Sequence, residues 1–210
     1  MTTWRALWRH REGRLGIVLA VVLALLVLAG PLFAMDPDQV DYRAQLQAPS
    51  PGHLLGTDQA GRDLLARSLV GGTTSLGAAV TVFLITSAVG MLAGVGAALS
   101  GGVVDAVISR LIDIMLGLPS QVLALAIVGL LGPSFPNLIL AMSITGWAGL
   151  ARLARTCALG CRQEPYVQAA RMAGVSSWRI LTGHIIPMVW NQVMVLATLD
   201  IGSTILALSG

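Results

Sequence analysis

The chain has 210 residues, of which 55% are apolar and only 11% charged, with a mean hydropathy of +0.79. That composition excludes an ordinary water-soluble domain and points to a chain dissolved in a bilayer. The net charge is +3, all 13 basic residues are arginine, and they gather in a few segments rather than along the chain.

A hydrocarbon core of ~30 Å takes ~20 mostly apolar helical residues to cross. Five stretches approach that length without an interior arginine: 15–34, 73–100, 114–132, 137–151 and 187–207. The first follows Arg5, Arg9, Arg11 and Arg14. Its apolar run is too long for a cleaved leader and no convincing small-x-small site precedes Met35, so an uncleaved first helix is expected, with residues 1–14 as a cytoplasmic N-terminus. Segment 35–72 carries five aspartates against Arg43, Arg62 and Arg67, which suits the opposite side of the membrane. Pro37, Pro49 and Pro51 predict an extended lead, followed by a short amphipathic helix. That helix is capped by Thr57 or Asp58, carries Asp63 and Arg67 at i, i+4, and ends at Gly71 and Gly72.

In the second span, Gly90, Gly94 and Gly96 predict a closely packed interior helix. Pro119 falls at the start of the third span, as a first-turn residue or a kink. Gly132, Pro133, Ser134, Phe135 and Pro136 form a tight external turn. The fourth span is short, and Gly146 and Gly149 near its end predict close packing or tilt. Arg152, Arg155, Arg162, Arg171 and Arg179 then mark 152–186 as a cytoplasmic loop. Span parity leaves the chain outside at Gly210.

Function classes fall away for lack of their residues. There is no GxxxxGK[ST] loop for phosphate, no HExxH pair and no GxSxG elbow. His10, His53 and His184 are far apart. Cys157 and Cys161 stand at i, i+4 and could share a metal with His184, but the local sequence offers too few ligands, so no metal site is expected. The chain reads as neither an enzyme nor a cofactor carrier.

The loop has a pattern of its own. Gln168, Ala169 and Ala170 lie in a helix-forming run, Gly174 ends it, Ser176 or Ser177 can cap a second turn near Trp178, and Pro187 opens the last span. The small residues Ala169, Ala170 and Ala173 suit docking into a partner's groove. A hairpin that only covers its own bundle is the plainer alternative.

The order QAA, three residues, Gly174, nine residues, then His184, Ile185, Ile186 and Pro187 resembles the EAA loop of ABC importer permeases. It departs from that pattern at Gln168 for Glu, His184 for Ile and Ile186 for Leu. Leu55 to Asp63, LGTDQAGRD, resembles the LGTDxxGRD signature of the second permease of peptide and nickel importers, carried here by Gly56, Thr57, Asp58, Gly61, Arg62 and Asp63. The run from Val195 to Gly202 and the region from Val104 to Asp113 look more like the nickel permease.

The resemblance implies an all-α membrane protein, with residues 73–210 as a type I ABC importer transmembrane domain showing about five spans where the family has six. The chain accordingly looks C-terminally shortened. It further implies a multi-pass protein of a bacterial inner membrane, paired with a second permease. Two ATPase subunits that use ATP and magnesium would dock at the loop, and an external binding protein would deliver nickel as a small chelate. This chain itself would bind no cofactor and no nucleic acid. A di- or oligopeptide substrate is the alternative, and a non-transporting scaffold or inactive fragment a second one.

Asp200 stands alone in the last span, where an ionised carboxylate costs on the order of 3 kcal/mol unless it is paired or meets water. It should face the bundle interior or a translocation path, where it either meets a metal complex electrostatically or, the more expected role, simply accepts hydrogen bonds from a neighbouring helix. One carboxylate does not make a metal site.

Overall fold

A computed structural model describes residues 11–33 and 36–209. The expectations for Arg5, Arg9, His10, Met35 and Gly210 lie outside them. The chain divides into two compact units, Met1–Gly77 and Ala78–Gly210.

In the first unit, helix α1 (Arg11–Phe33) coincides with the first expected span. Its 23 residues reach about 35 Å at 1.5 Å per residue. Leu15, Leu19, Leu23 and Leu26 are all more than half exposed. Among the described residues of this unit none buries this stripe, which suits a lipid-facing helix. Helix α2 (Leu64–Ser100) starts in this unit. The Thr73 hydroxyl donates to the Val27 carbonyl of α1, and Gly30 lies against the end of the Leu69 side chain.

Two expectations for 35–72 are corrected. The lead to residue 56 is folded, not extended: a 3-10 turn at Tyr42–Ala44, capped by Asp41, turns the chain so that Leu46 and Gln47 pair with Asp58 and Thr57. There is also no separate surface helix ending at Gly71 and Gly72. Helix α2 runs 37 residues from Leu64 straight through both glycines, which do not adopt the left-handed backbone that ends helices. Its cap is Asp63, whose carboxylate accepts the Ala66 N–H at 2.8 Å, not Thr57 or Asp58.

The second unit contains the rest of α2, then α3 (Gly102–Gly117), α4 (Ser120–Leu131), α5 (Phe135–Gln163), α6 (Pro165–Met172), α7 (Ser177–Ile180), a π turn (Leu181–Ile185) and α8 (Ile186–Ser209). The glycine expectations for α2 hold at two of three positions. A Cβ on Gly90 would meet Leu150, and one on Gly94 would meet Ala151 and Ala154 of α5, whereas Gly96 faces open space. A Cβ on Gly146 would meet Thr86, whereas one on Gly149 would face open space. The main core joins Phe83 and Val95 of α2 to Leu150, Ala154 and Ala158 of α5 and to Val189 and Val193 of α8.

The third expected span, 114–132, is not one helix. Leu118 is extended and Pro119 precedes Ser120, so α3 and α4 meet at 88°. Proline disfavours helical backbone in the residue before it, and its missing N–H interrupts the ladder. The fourth span is likewise redrawn: α5 runs 29 residues, about 43 Å, carrying Arg152, Arg155 and Arg162 on the same helix as the apolar stretch. Those arginines are helical because α2 and α3 supply their partners. Arg155 grips Asp105 with two hydrogen bonds of 2.5 and 2.6 Å, Arg152 pairs with Asp113, and Arg162 donates to the Ala98 carbonyl. The expected 152–186 loop therefore begins only at Glu164. Between α4 and α5 the turn is tight as expected: Gly132 takes φ +91°, Ser134 caps α5, and the Asn137 amide donates to the carbonyls of Leu131 and Gly132. Among the described residues four helices are long and apolar enough to cross a membrane, five if the bent pair α3–α4 is one span.

Candidate functional site

The LGTD-type signature folds into a clasp in the first unit. Gly56 (φ +77°) and Gly61 (φ +75°) take backbone conformations that side chains oppose, and a Cβ at either would run into the carbonyl of Gln47 or Asp41. Thr57 is buried; its hydroxyl donates to the Ala44 carbonyl and accepts the Gln47 N–H at 2.9 Å. Asp58 accepts the N–H groups of Ala60 (2.8 Å) and Arg62 (3.0 Å) and pairs with the guanidinium groups of Arg62 (2.9 Å) and Arg67 (3.3 Å). Arg67 thus pairs with Asp58, not with Asp63 as its spacing suggested. Asp63 caps α2 and meets His53 Nδ1 at 3.0 Å.

Both carboxyls sit below the ordinary range. For Asp58 partial burial pulls upward, and the Arg62 and Ala60 N–H groups with the Arg62 guanidinium outweigh it. For Asp63 the Ala66 N–H is the chief cause, with His53 adding to it against burial. All six signature residues are thus accounted for by the closure of this loop.

The loop between α5 and α8 is a helical hairpin. Helix α6 ends in a two-bond turn: the Val175 N–H donates to the Ala170 carbonyl and the Gly174 N–H to that of Arg171, both at 3.0 Å, with Gly174 at φ +79°. Ser176 caps α7. The wide π turn falls just before Pro187, which cannot donate an N–H and crowds the carbonyl four residues earlier, that of Gly183. Val167, Ile180 and Ile185 are buried and anchor the hairpin in the main core. Gln168 donates to the Gln163 carbonyl at 3.0 Å, and His184 meets Tyr166 edge to face, with centroids 5.5 Å apart. Ala169, Ala173, Tyr166, Met172 and Trp178 remain exposed, Met172 by 90%. Cys161 is buried, 3.7 Å from the Tyr166 hydroxyl, and is part of the core. Among the described residues no cluster of three metal-ligating side chains forms.

Asp200 is part-buried on α8 and lines a cavity of about 610 Å³ in the second unit. Ser120 and Gln121 of α4, Thr86 of α2, Thr145 of α5, and Ser203 and Thr204 of α8 share its walls. These partners were missed in the sequence. Ser203 and Thr204, three and four residues after Asp200, were the available signal, since that spacing lines one helix face. The acids Asp105 and Asp113 were missed too, although they fall on α3 with the spacing of a single face.

Comparison with known proteins agrees with this arrangement. Residues 88–210 match the family described as binding-protein-dependent transport system inner membrane component, and residues 2–49 match the N-terminal transmembrane domain of oligopeptide transport permease C. The chain is 41% identical over 206 residues to the probable D,D-dipeptide transport system permease protein DdpC of Escherichia coli, covering 96% of this chain and 69% of that one. It is 34% identical over 198 residues to the nickel transport system permease protein NikC of the same species, covering 94% and 72%. With the dipeptide transport system permease protein DppC of Bacillus subtilis it shares 30% over 207 residues, 97% of this chain and 64% of the other. The chain therefore belongs to the family of binding-protein-dependent transport system inner membrane components, as an ABC importer permease of the oligopeptide-permease-like type.

Proposed function

We propose that this permease forms, with a second permease, the path of an importer for small peptides, driven by two ATPase subunits that dock on the α6–α7 hairpin and fed by an external binding protein. The observation that carries the docking is the outer face of the hairpin. Buried Val167, Ile180 and Ile185 fix it to the core, while Met172 and Trp178 are turned out, beside a half-exposed Tyr166, on a segment between the long apolar helices. Exposed aromatic and methionine side chains held on a rigid base are the chemistry of an interface. ATP and magnesium belong to the docked subunits; this chain supplies the surface they move. Closure of the ATPases would favour one of two arrangements of the path, a population shift set by differential binding.

Peptide is favoured over nickel because relatives named for dipeptide transport flank the nickel permease in similarity, and because the Asp200 cavity offers hydroxyls, an amide and one carboxylate. Nickel is the second reading, favoured by the 34% identity to NikC. The arginines ahead of α1 favour a cytoplasmic N-terminus.

The test replaces Gly174 by Val. Position 174 has open space around it but a left-handed backbone, so Val is excluded by φ while Asn is tolerated. The Val variant is expected to insert normally and lose ATPase binding and uptake; the Asn variant should keep both. Full uptake by the Val variant would refute the docking role. Peptide and nickel uptake, measured in parallel with this chain deleted, decide the substrate.

A further inference from the structure

Three of the hydroxyls around the Asp200 cavity already spend their protons within their own helices. Thr86 gives its hydroxyl proton to the Val82 carbonyl (2.9 Å), Thr145 to that of Met142 (3.2 Å), and Ser203 to that of Asp200 itself (3.0 Å). Each hydroxyl has one proton and two lone pairs, so these residues have only lone pairs left to offer a guest. The Asp200 carboxylate adds a full negative charge. Among the described residues the ion pairs of this unit join Asp105 to Arg155 and Asp113 to Arg152, and none reaches Asp200. An unpaired carboxylate inside a membrane span marks a place where a cation comes and goes.

A guest that is cationic and also a hydrogen-bond donor meets Asp200 and the free lone pairs of Thr86, Thr145 and Ser203 together, and an ammonium group is that guest. Nickel is the poorer match, because it favours imidazole nitrogen and no imidazole or thiolate lines the cavity. At about 610 Å³ the space suits a small organic solute. We propose that this cavity receives the protonated α-amino group of a peptide in transit, with Asp200 as its counter-ion. This rests on the peptide-import reading above and adds to it a point of recognition inside the membrane.

The test uses the whole importer in proteoliposomes, with the binding protein saturated in turn with a peptide and with its N-acetyl form. Saturation removes the binding protein's own preference, so the ratio of uptake rates reports the permease. The wild type is expected to import the free-amine peptide about tenfold faster, the size of one charge-assisted hydrogen bond. Asp200→Asn should bring the ratio near one, and Asp200→Glu should retain it. Thr204→Lys, one helical turn on, gives Asp200 an internal cation and removes an unpaired charge, so it should assemble even where the Asn variant does not. It too should abolish the preference. A wild-type ratio near one, or a ratio unchanged by Asp200→Asn or Thr204→Lys, overturns the proposal and leaves peptide import standing. Uptake of nickel presented with histidine, without uptake of either peptide, overturns both.

Discussion

Replacing Gly94 by Ala tests the helix crossing on which the second unit is built. A Cβ there would stand 2.9 Å from the Ala154 Cβ and 2.9 Å from the Arg155 nitrogen, and closer still to the Ala151 carbonyl oxygen. None of these atoms is the end of a flexible side chain. Only a parting of α2 and α5 relieves the overlap, and overpacking of this kind costs about 1–3 kcal/mol. Alanine returns roughly 0.8–1 kcal/mol in helix propensity, leaving a net loss of up to about 2 kcal/mol. Gly96, two residues on, is an internal control: nothing lies within 4 Å of its Cβ position, so Gly96→Ala keeps the propensity gain without the clash. Gly90→Ala, with Leu150 Cβ at 2.8 Å, should fall between them. Thermal unfolding of the purified chain in detergent reads the difference, at about 2–4 °C per kcal/mol for a chain of this size. The order from most to least damaging should be 94, 90, 96. If Gly94→Ala melted at or above Gly96→Ala, the packing of α2 on α5 described above would be wrong.

In the clasp, Gly61→Ala forces a side chain into a left-handed backbone and to within 2.6 Å of the Asp41 carbonyl carbon, whereas Gly52→Ala meets nothing nearer than 4.0 Å. Trypsin should cut at Arg43 and Arg62 faster in the first variant only. Asp58 and Asp63 both have folded pKa values below their unfolded ones. Their contribution is therefore complete above the unfolded value of about 3.9 and is lost as pH falls through the lower folded values. Amide exchange across residues 41–63 should accelerate only under acid conditions, and in Asp58→Asn it should be fast already at neutral pH. A double-mutant cycle on Asp105 and Arg155 should give a coupling of about 1 kcal/mol, because the two-bond geometry is good but both side chains are partly exposed. A coupling near zero would make the pair incidental to the α3–α5 contact.

Much of this fold was legible because a bilayer leaves helix as the only economical backbone, so apolar length alone located α1, most of α2 and α8. Two of the errors share a cause: charge and glycine were read as punctuation. Arg152, Arg155 and Arg162 looked like a loop because their partners, Asp105, Asp113 and the Ala98 carbonyl, lie from 39 to 64 residues away in sequence. Gly71 and Gly72 looked like a helix end, but a glycine stops a helix only when it takes the left-handed conformation, as Gly174 does and they do not. In the loop the sequence signals were local, with a C-terminal glycine, a serine cap and a proline, and the structure places all three as expected. The signature residues were recognised without their purpose. Gly61 against Asp41 and Thr57 against Ala44 are contacts over 20 and 13 residues, beyond the reach of spacing arguments.

The hairpin and the Asp200 cavity, read separately in the sequence, are mechanically one object. Glu164 begins the hairpin where α5 stops, and α5 carries Thr145 and Gly146 into the cavity wall, 19 residues or about 28 Å away. On the other side the π turn runs directly into α8, which carries Asp200 14 residues or about 21 Å from its first residue. The two helices that the hairpin joins are therefore two walls of the cavity. Val167, Ile180 and Ile185 tie the hairpin to the same core that holds α5 and α8 together. Between the exposed face of the hairpin and the α8 wall lies the π turn at Leu181–Ile185, where the regular ladder is interrupted. A docked ATPase that moved this hairpin would bring Thr145 and Asp200 nearer or farther together through rigid helices. In the proposed cycle, the acceptor groups would thereby gather around an ammonium in one state and let go of it in the other.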